Sequence, residues 1–363
     1  MVEHIKIAKH TSSRNFQKKF FPHPLTMSLK ILTTLGPSSM SQDTVEALTK
    51  EEVYLFRINL SHTPIESVED VIKKIQSWTD TPVCLDSEGA QIRNCTMESE
   101  TIEFTEGDSI KIHHDKIIGD HQNISFTPLH ISKHFNVGDT IFLDFNSARF
   151  KVTETKGDCC HAIVEHGGRV GSNKAVNIDR EVPLEVITPK DKAAIAIGLD
   201  MGIRDFSLSF TNSAEDVTAM RKLIGEQSNL ISKIESIKGL LNLDEILPCA
   251  DQILIDRGDL SREVPIEKIP FLQRRIVAHA KSKNTPVFVA TNLLESMTET
   301  KVPTRAEVND VVSTLLMGAD GLVLAAETAI GKHPLEAVRM IKSLIAQYNR
   351  WTPNSSFQDI IFD

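Results

Sequence analysis

Apolar runs and polar turns alternate along most of the chain, and the spacing predicts paired strands and helices. Residues 30–35 form an apolar run stopped by Gly36-Pro37. A helical pattern follows over Gln42–Lys50, with Ser41 placed to cap it. A second run at 54–60 precedes a helix over Ile65–Trp78, where Val68, Val71, Ile72 and Ile75 make one apolar stripe. The third run is 82–86. From about Cys95 to Asp179 the period changes to short alternating segments, such as Ser109–His113, Thr140–Leu143, 150–153 and 162–164. Gly107, Gly119, Gly138, Gly157 and Gly167-Gly168 punctuate them. Alternation between glycine turns predicts an antiparallel β module.

After Thr188-Pro189 the longer rhythm returns. Strands are expected at 206–210, 230–234, 252–255, 286–290 and 321–324, and helices at 214–226, 272–283, 308–317 and 334–348. Three strand–helix units before the insertion and five after it give the count of a (β/α)8 TIM barrel. The expected fold class is therefore α/β: a (β/α)8 barrel carrying an inserted β-rich, β-barrel domain after the third strand. The boundaries are an N-terminal arm at 1–29, the barrel at 30–93 and 180–350, the inserted domain at 94–179 and a tail at 351–363. An open doubly wound sheet is the alternative, but no GxGxxG follows the first strand.

Composition narrows the function. The 363 residues carry 40 Lys and Arg against 49 Asp and Glu, a net charge of -9, which argues against bulk electrostatic binding of nucleic acid. No run approaches the roughly 20 apolar residues of a membrane span, so no membrane partner is expected. Five cysteines without CxxC spacing suggest neither zinc nor a disulfide framework, and point to a reducing, cytoplasmic setting. Lys6, Lys9, Arg14, Lys18 and Lys19 make the N-terminal arm basic. It reads as a solvated arm, with a transit peptide as the alternative.

Chemistry in such a barrel gathers where the strands end. Arg57, Asn59, Ser61 and His62 close the second strand, Asp86, Ser87 and Glu88 the third, and Lys233 and Glu235 the fifth. Arg257-Gly258-Asp259 closes the sixth, Thr291-Asn292 the seventh and Glu327-Thr328 the eighth. Alternation puts Lys233 and Glu235 on one side of their strand. Glu235 and Asp259, on adjacent strands, suit one hard dication, with Lys233 beside it to balance an anionic ligand. Taken singly, a Lys–Glu pair is an ordinary ion pair and an Asp after Arg-Gly an ordinary cap; their convergence favours a site.

The same residues resemble a known family. Ile231-Ser232-Lys233-Ile234-Glu235 is similar to the ISKIE signature of pyruvate kinases, and Asp256-Arg257-Gly258-Asp259-Leu260 to ARGDLG. The stretch Ala290 to Met297 resembles ATQMLESM, Pro303-Thr304-Arg305-Ala306-Glu307 matches PTRAE, and Ala326-Glu327-Thr328-Ala329 resembles SGETA. Earlier, Arg57-Ile58-Asn59-Leu60-Ser61-His62 and Leu85-Asp86-Ser87-Glu88-Gly89 fit RLNFSH and LDTKG. The likeness runs collinearly from about Lys30 to Tyr348.

The resemblance implies a phosphotransferase acting on phosphoenolpyruvate and a nucleoside diphosphate. It implies Mg²⁺ on Glu235 and Asp259, Lys233 neutralising the phosphoryl group and Arg57 gripping the phosphate. Backbone N–H groups around Gly258 and Asp259 would take the substrate carboxylate, and Thr291 would lie near the carbon that gains a proton. His62, Arg93 and Lys174 would approach nucleotide phosphates. Asn59, Ser61, Asp86 and Ser87 would hold K⁺, and the inserted domain would serve as a lid. A homo-oligomer is compatible with this reading.

Several positions depart from the pattern. Asp256 stands where the family has alanine, where it would face the substrate carboxylate. Glu88 replaces a basic residue, Asn212 an arginine, and Phe145-Asn146 an Asp-Gly pair. Gln91 replaces a glutamate linked to K⁺ dependence, which leaves the need for K⁺ open. The sequence ends soon after the eighth helix, so the family's C-terminal domain, with its effector site, is expected to be missing. Two other functions stay open: a different reaction on an enolpyruvate or 2-oxo acid, such as decarboxylation or transfer to another acceptor, and a non-catalytic ligand-binding relative.

Overall fold

The structure is a computed structural model that describes residues 29–89, 91–144 and 147–362. The basic arm up to residue 28 and the Phe145-Asn146 pair lie outside the described residues. Eight parallel strands close into a barrel in the order β1, β17, β16, β15, β14, β13, β3, β2. They are β1 (Lys30–Thr34), β2 (Leu55–Asn59), β3 (Val83–Asp86), β13 (Asp205–Leu208), β14 (Asn229–Ile234), β15 (Gln252–Asp256), β16 (Val287–Ala290) and β17 (Gly321–Leu324). Between β3 and β13 the chain forms β4 (Ile92–Asn94), β5 (Thr101–Phe104), β6 (Ser109–His113), β7 (Asn123–Thr127), β8 (Thr140–Leu143), β9 (Ala148–Lys156), β10 (Cys159–His166), β11 (Gly168–Gly171) and β12 (Ala175–Ile178).

The chain contacts divide it into two compact units. The first holds residues 29–86, 197–207 and 212–362 among those described, and the second 87–196 and 208–211. In the second, seven strands close a smaller barrel in the order β10, β6, β7, β4, β12, β8, β9, and β5 pairs with β11 apart from it. Its pairings are antiparallel, as alternation predicts, except that β6 and β7 run parallel. Its core is lined by alternate residues, including Ile110, Ile112, Ile141, Leu143 and Phe150, with Phe104 edge-on to Phe150 at 5.0 Å.

Helix ends follow local chemistry. Ser41 caps Gln42–Lys50 by accepting from the Thr44 N–H. Thr304 and Glu307 form a reciprocal capping box at the start of Arg305–Met317, so that helix begins three residues before its apolar stripe. The strand expected at 206–210 ends at Leu208, because Phe210 adopts φ +51°, which no strand continues. The helix expected at 214–226 ends at Ile224, before Gly225 at φ +77°. The helix Pro189–Asp200 completes the third strand–helix unit after the insertion, so only two units are uninterrupted before it.

The barrel interior is layered. Leu32, Leu55, Cys84, Ile231, Leu254, Phe288, Ala290 and Val323 form a closed apolar cluster with contributions from seven strands. Gly321 makes room for Phe288, since a Cβ there would stand 2.3 Å from the ring. Two residues further along each strand the side chain points the same way again. That next level carries Thr34, Arg57, Asp86, Lys233 and Asp256, and all five are buried. The fold thus seats a polar layer on an apolar floor at the ends of the strands.

Candidate active site

Polar groups this deep persist only with partners. The Asp86 carboxylate stands 3.4 Å from Arg57 and 3.4 Å from Lys233, so one oxygen balances two cations. Register explains this: Arg57 and Asp86 lie on paired strands, with Arg57 opposite Cys84. The Arg57 Nε–H also donates to Thr34 Oγ1 at 3.0 Å, and the Thr34 hydroxyl donates to the Leu324 carbonyl. Lys233 Nζ approaches Glu235 Oε1 to 2.8 Å and Asp256 Oδ2 to 3.9 Å. Burial alone would lower the Lys233 ammonium, but Asp86, Glu235 and Asp256 hold it well above its ordinary value.

Glu235, Asp256 and Asp259 each offer a carboxylate oxygen, and the three lie within 4.8 Å of one another. Burial first, and then the charges of Asp259 and Asp256, push the Glu235 carboxyl up to about 8 against the pull of Lys233. Asp259 is half-buried and pairs with Arg262 at 2.8 Å. Oxygen-only donors that repel one another at this range fit a small hard dication such as Mg²⁺. The chemistry of the donor set therefore agrees with a metal on Glu235 and Asp259.

The short helix Arg257–Leu260 begins where β15 ends, and Asp256 rather than Asp259 caps it. Asp256 Oδ1 accepts from the Gly258 and Asp259 N–H groups at 3.2 and 3.5 Å, and from the Thr291 hydroxyl at 2.6 Å. Burial works against charge on Asp256, yet Lys233, the Thr291 hydroxyl and Arg57 hold its carboxyl below the usual range. Gly258 is required by contact: a Cβ there would meet Thr291 Cγ2 at 2.7 Å. Thr291 has φ +75°, a strained conformation for a β-branched residue. Arg257 holds it by donating to its carbonyl at 3.1 and 2.6 Å, while also pairing with Asp310 at 2.6 Å.

Arg57, Lys233, Glu235, Gly258, Asp259 and Thr291 are thus linked through Asp86 and Asp256. The comparisons name the framework that places them. The family model for the pyruvate kinase barrel domain matches residues 26–338. The chain belongs to the pyruvate kinase family. A pyruvate kinase of Thermotoga maritima is 36% identical over 326 residues, covering 87% of this chain and 70% of that protein. One of Thermococcus litoralis is 34% identical, covering 87% of this chain and 68% of its own length. One of Mycobacterium tuberculosis is 32% identical over 330 residues, covering 88% and 70%. The function is accordingly pyruvate kinase-like, that of an enzyme of the kinase type of transferase.

The remaining family-derived positions sit as follows. Asn59 Oδ1 accepts from the Ser61 N–H at 2.9 Å, and the His62 N–H donates to the Asn59 carbonyl at 3.1 Å. Asp86, expected to face a monovalent cation, turns one carboxylate oxygen, Oδ2, to Arg57 and Lys233. In the other unit, Ser87 Oγ accepts from the Ser209 N–H, Arg93 donates to the Asn173 carbonyl at 2.7 Å, and Lys174 pairs with Asp144 at 3.2 Å.

Three residues have partners that the sequence does not show. Asp86 works as the counter-charge of Arg57 and Lys233, which its place on the strand beside Arg57 signals only once the register is known. Arg257 anchors Thr291, and no sequence pattern shows that. Glu327, fully buried, accepts from the Leu294 N–H at 3.1 Å and the Ala325 N–H at 2.9 Å, joining the loops after β16 and β17. Among the described residues, no helix is long and apolar enough to cross a membrane.

Proposed function

We propose that this site moves the phosphoryl group of phosphoenolpyruvate to a nucleoside diphosphate, giving pyruvate and the triphosphate. The P–O bond to the enol oxygen breaks, a terminal diphosphate oxygen forms the new one, and the enolate left behind takes a proton on carbon. The observation that carries this reading is the buried cation pair. Arg57 and Lys233 share Asp86, and Lys233 lies 2.8 Å from Glu235, so two positive groups are fixed side by side at the strand ends, which supports a role in meeting phosphoryl charge. Fixed charge in a buried site is the main lever on a loose phosphoryl transition state.

Glu235 and Asp259 would hold Mg²⁺, which supplies Lewis-acid stabilisation of the enolate oxygen as the phosphoryl group departs. Arg57 grips the phosphate and Lys233 neutralises it in flight. Thr291, fixed by Arg257, lies where a proton reaches the enol carbon through water. His62 would serve a nucleotide phosphate, and Asn59, Ser61 and Asp86 would furnish oxygens to K⁺. Five free cysteines suit the reducing setting of the cytoplasm.

A coupled assay reading pyruvate release from phosphoenolpyruvate, Mg²⁺ and each nucleoside diphosphate tests the reading, run with and without K⁺. Turnover that Lys233→Met lowers by a factor on the order of 10³ is expected. No pyruvate at high enzyme concentration, or equal release by wild type and Lys233→Met, would sink it.

A further inference from the structure

Asp256 has more partners than a helix cap needs. One oxygen accepts from the Thr291 hydroxyl and from two backbone N–H groups, and the other lies 3.9 Å from Lys233. That donor set of hydroxyl, amides and ammonium is what a buried site offers to the carboxylate of a ligand. The contacts of Gly258 leave little slack around it, since a Cβ there would lie 3.4 Å from Asp256 Oδ1 and 2.7 Å from Thr291 Cγ2. Asp256 also adds a charge. Asp86, Glu235, Asp256 and Asp259 face Arg57, Lys233 and Arg262, so Asp256 makes the loaded site one charge less positive toward any anion.

We propose that Asp256 is a specificity-determining residue whose carboxylate stands in for that of the ligand, strengthening the hold on a dication and weakening the hold on an enolpyruvate. The inference rests on the metal-dependent reading above. A ligand carboxylate reaches the same donors only when Asp256 leaves the Thr291 hydroxyl, and until then it meets a like charge at short range. With the dication alone the order reverses, because Asp256 is a third carboxylate oxygen within 4.8 Å of Glu235 and Asp259. The chain thus tolerates a metal without substrate better than an alanine at this position would.

Calorimetry on the full chain tests this with wild type, Asp256→Ala and the isosteric Asp256→Asn. Mg²⁺ is titrated alone, and phosphoenolpyruvate is then titrated at saturating Mg²⁺. Both variants are expected to bind Mg²⁺ about 10-fold more weakly; Asp256→Ala is expected to bind phosphoenolpyruvate at least about 10-fold more tightly, and Asp256→Asn, which loses the charge but still occupies the donors, to show a smaller gain. The asparagine keeps shape and hydrogen bonding, so a matching loss of Mg²⁺ affinity in both variants assigns that effect to charge. Unchanged affinities in the two variants, or weaker phosphoenolpyruvate binding, overturn the inference while leaving the functional reading intact. If neither wild type nor variants take up Mg²⁺, the functional reading fails and the inference falls with it.

Discussion

The Lys233 ammonium lies 2.8 Å from the carboxylate of Glu235, which follows two residues later, just past the end of β14. Neither can be removed alone without cost. Lys233→Met leaves Asp86, Glu235 and Asp256 facing one another in a buried layer, which destabilises the fold by about 3–5 kcal/mol. It also removes the charge that meets the phosphoryl group, so kcat should fall by a factor on the order of 10³. The Glu235→Gln, Lys233→Met double variant regains part of the stability and none of the turnover. Urea midpoints and initial rates read the two effects separately, and a double variant no more stable than Lys233→Met contradicts the pairing.

Thr291 and Gly258 are matched in shape. Gly258→Ala drives a Cβ to within 2.7 Å of Thr291 Cγ2, an overpacking worth about 1–3 kcal/mol in stability, with loss of activity as Thr291 moves. Adding Thr291→Ser removes the clashing methyl and keeps the hydroxyl on Asp256. The pair should recover most of the lost kcat, and a pair as inactive as Gly258→Ala alone counts against the contact.

Most of the framework is legible in the sequence because two periods dominate it. Gln42–Lys50, Ile65–Trp78 and Gly321–Leu324 coincide with their patterns, since the Ser41 cap marks the first, an apolar stripe the second and a short continuous apolar run the third. The helix Pro189–Asp200 does not show itself, because Ala193, Ala194 and Ala196 spread small apolar groups around the helix and leave no stripe. Arg257–Leu260 is a single turn, too short to have a period. The residue types at the site were readable from their places at strand ends. Their pairing was not, since Asp86 meets Arg57 through strand register and meets Lys233, 147 residues further on, through closure of the barrel. Asp256 stood out in sequence as a departure, but its grip on Thr291 is a fact of three dimensions.

Glu307 ties the loop after β16 to its helix. Its carboxylate accepts from Ser296 N–H and Oγ–H at 2.7 and 2.6 Å, and from Thr304 N–H at 2.7 Å. Burial opposes its charge, but these bonds hold the carboxyl below its ordinary value of 4.5. A carboxyl lowered in the fold stabilises fully above its unfolded pKa and loses that contribution as pH falls through the folded value. Glu307→Gln should therefore lower Tm by roughly 2–4 °C at pH 7, for about 1 kcal/mol, with the gap narrowing as pH falls below 4.5 and through the lowered folded value. A gap that does not narrow anywhere as the pH is lowered from 7 into the acid range contradicts the assignment.

Asp191 is fully buried and accepts from the N–H groups of Glu88, Gly89 and Thr188 and from the Thr188 hydroxyl, at 2.7 to 3.2 Å. Asp191→Ala leaves those donors unmet at about 1–3 kcal/mol each, before relaxation. The segment around Glu88 should become protease-sensitive and exchange amide hydrogens faster, while barrel strands β14 and β15 keep their protection. Unchanged exchange at Glu88 and Gly89 sinks this account.

The whole account turns on a dication held by Glu235 and Asp259 beside Lys233. Crystals soaked with Mn²⁺ as an anomalous substitute for Mg²⁺ test it directly. The expected result is one strong anomalous peak within about 2.3 Å of an oxygen from each carboxylate, lost in Glu235→Gln. A peak elsewhere, or no peak with Glu235 and Asp259 turned away from each other, contradicts it.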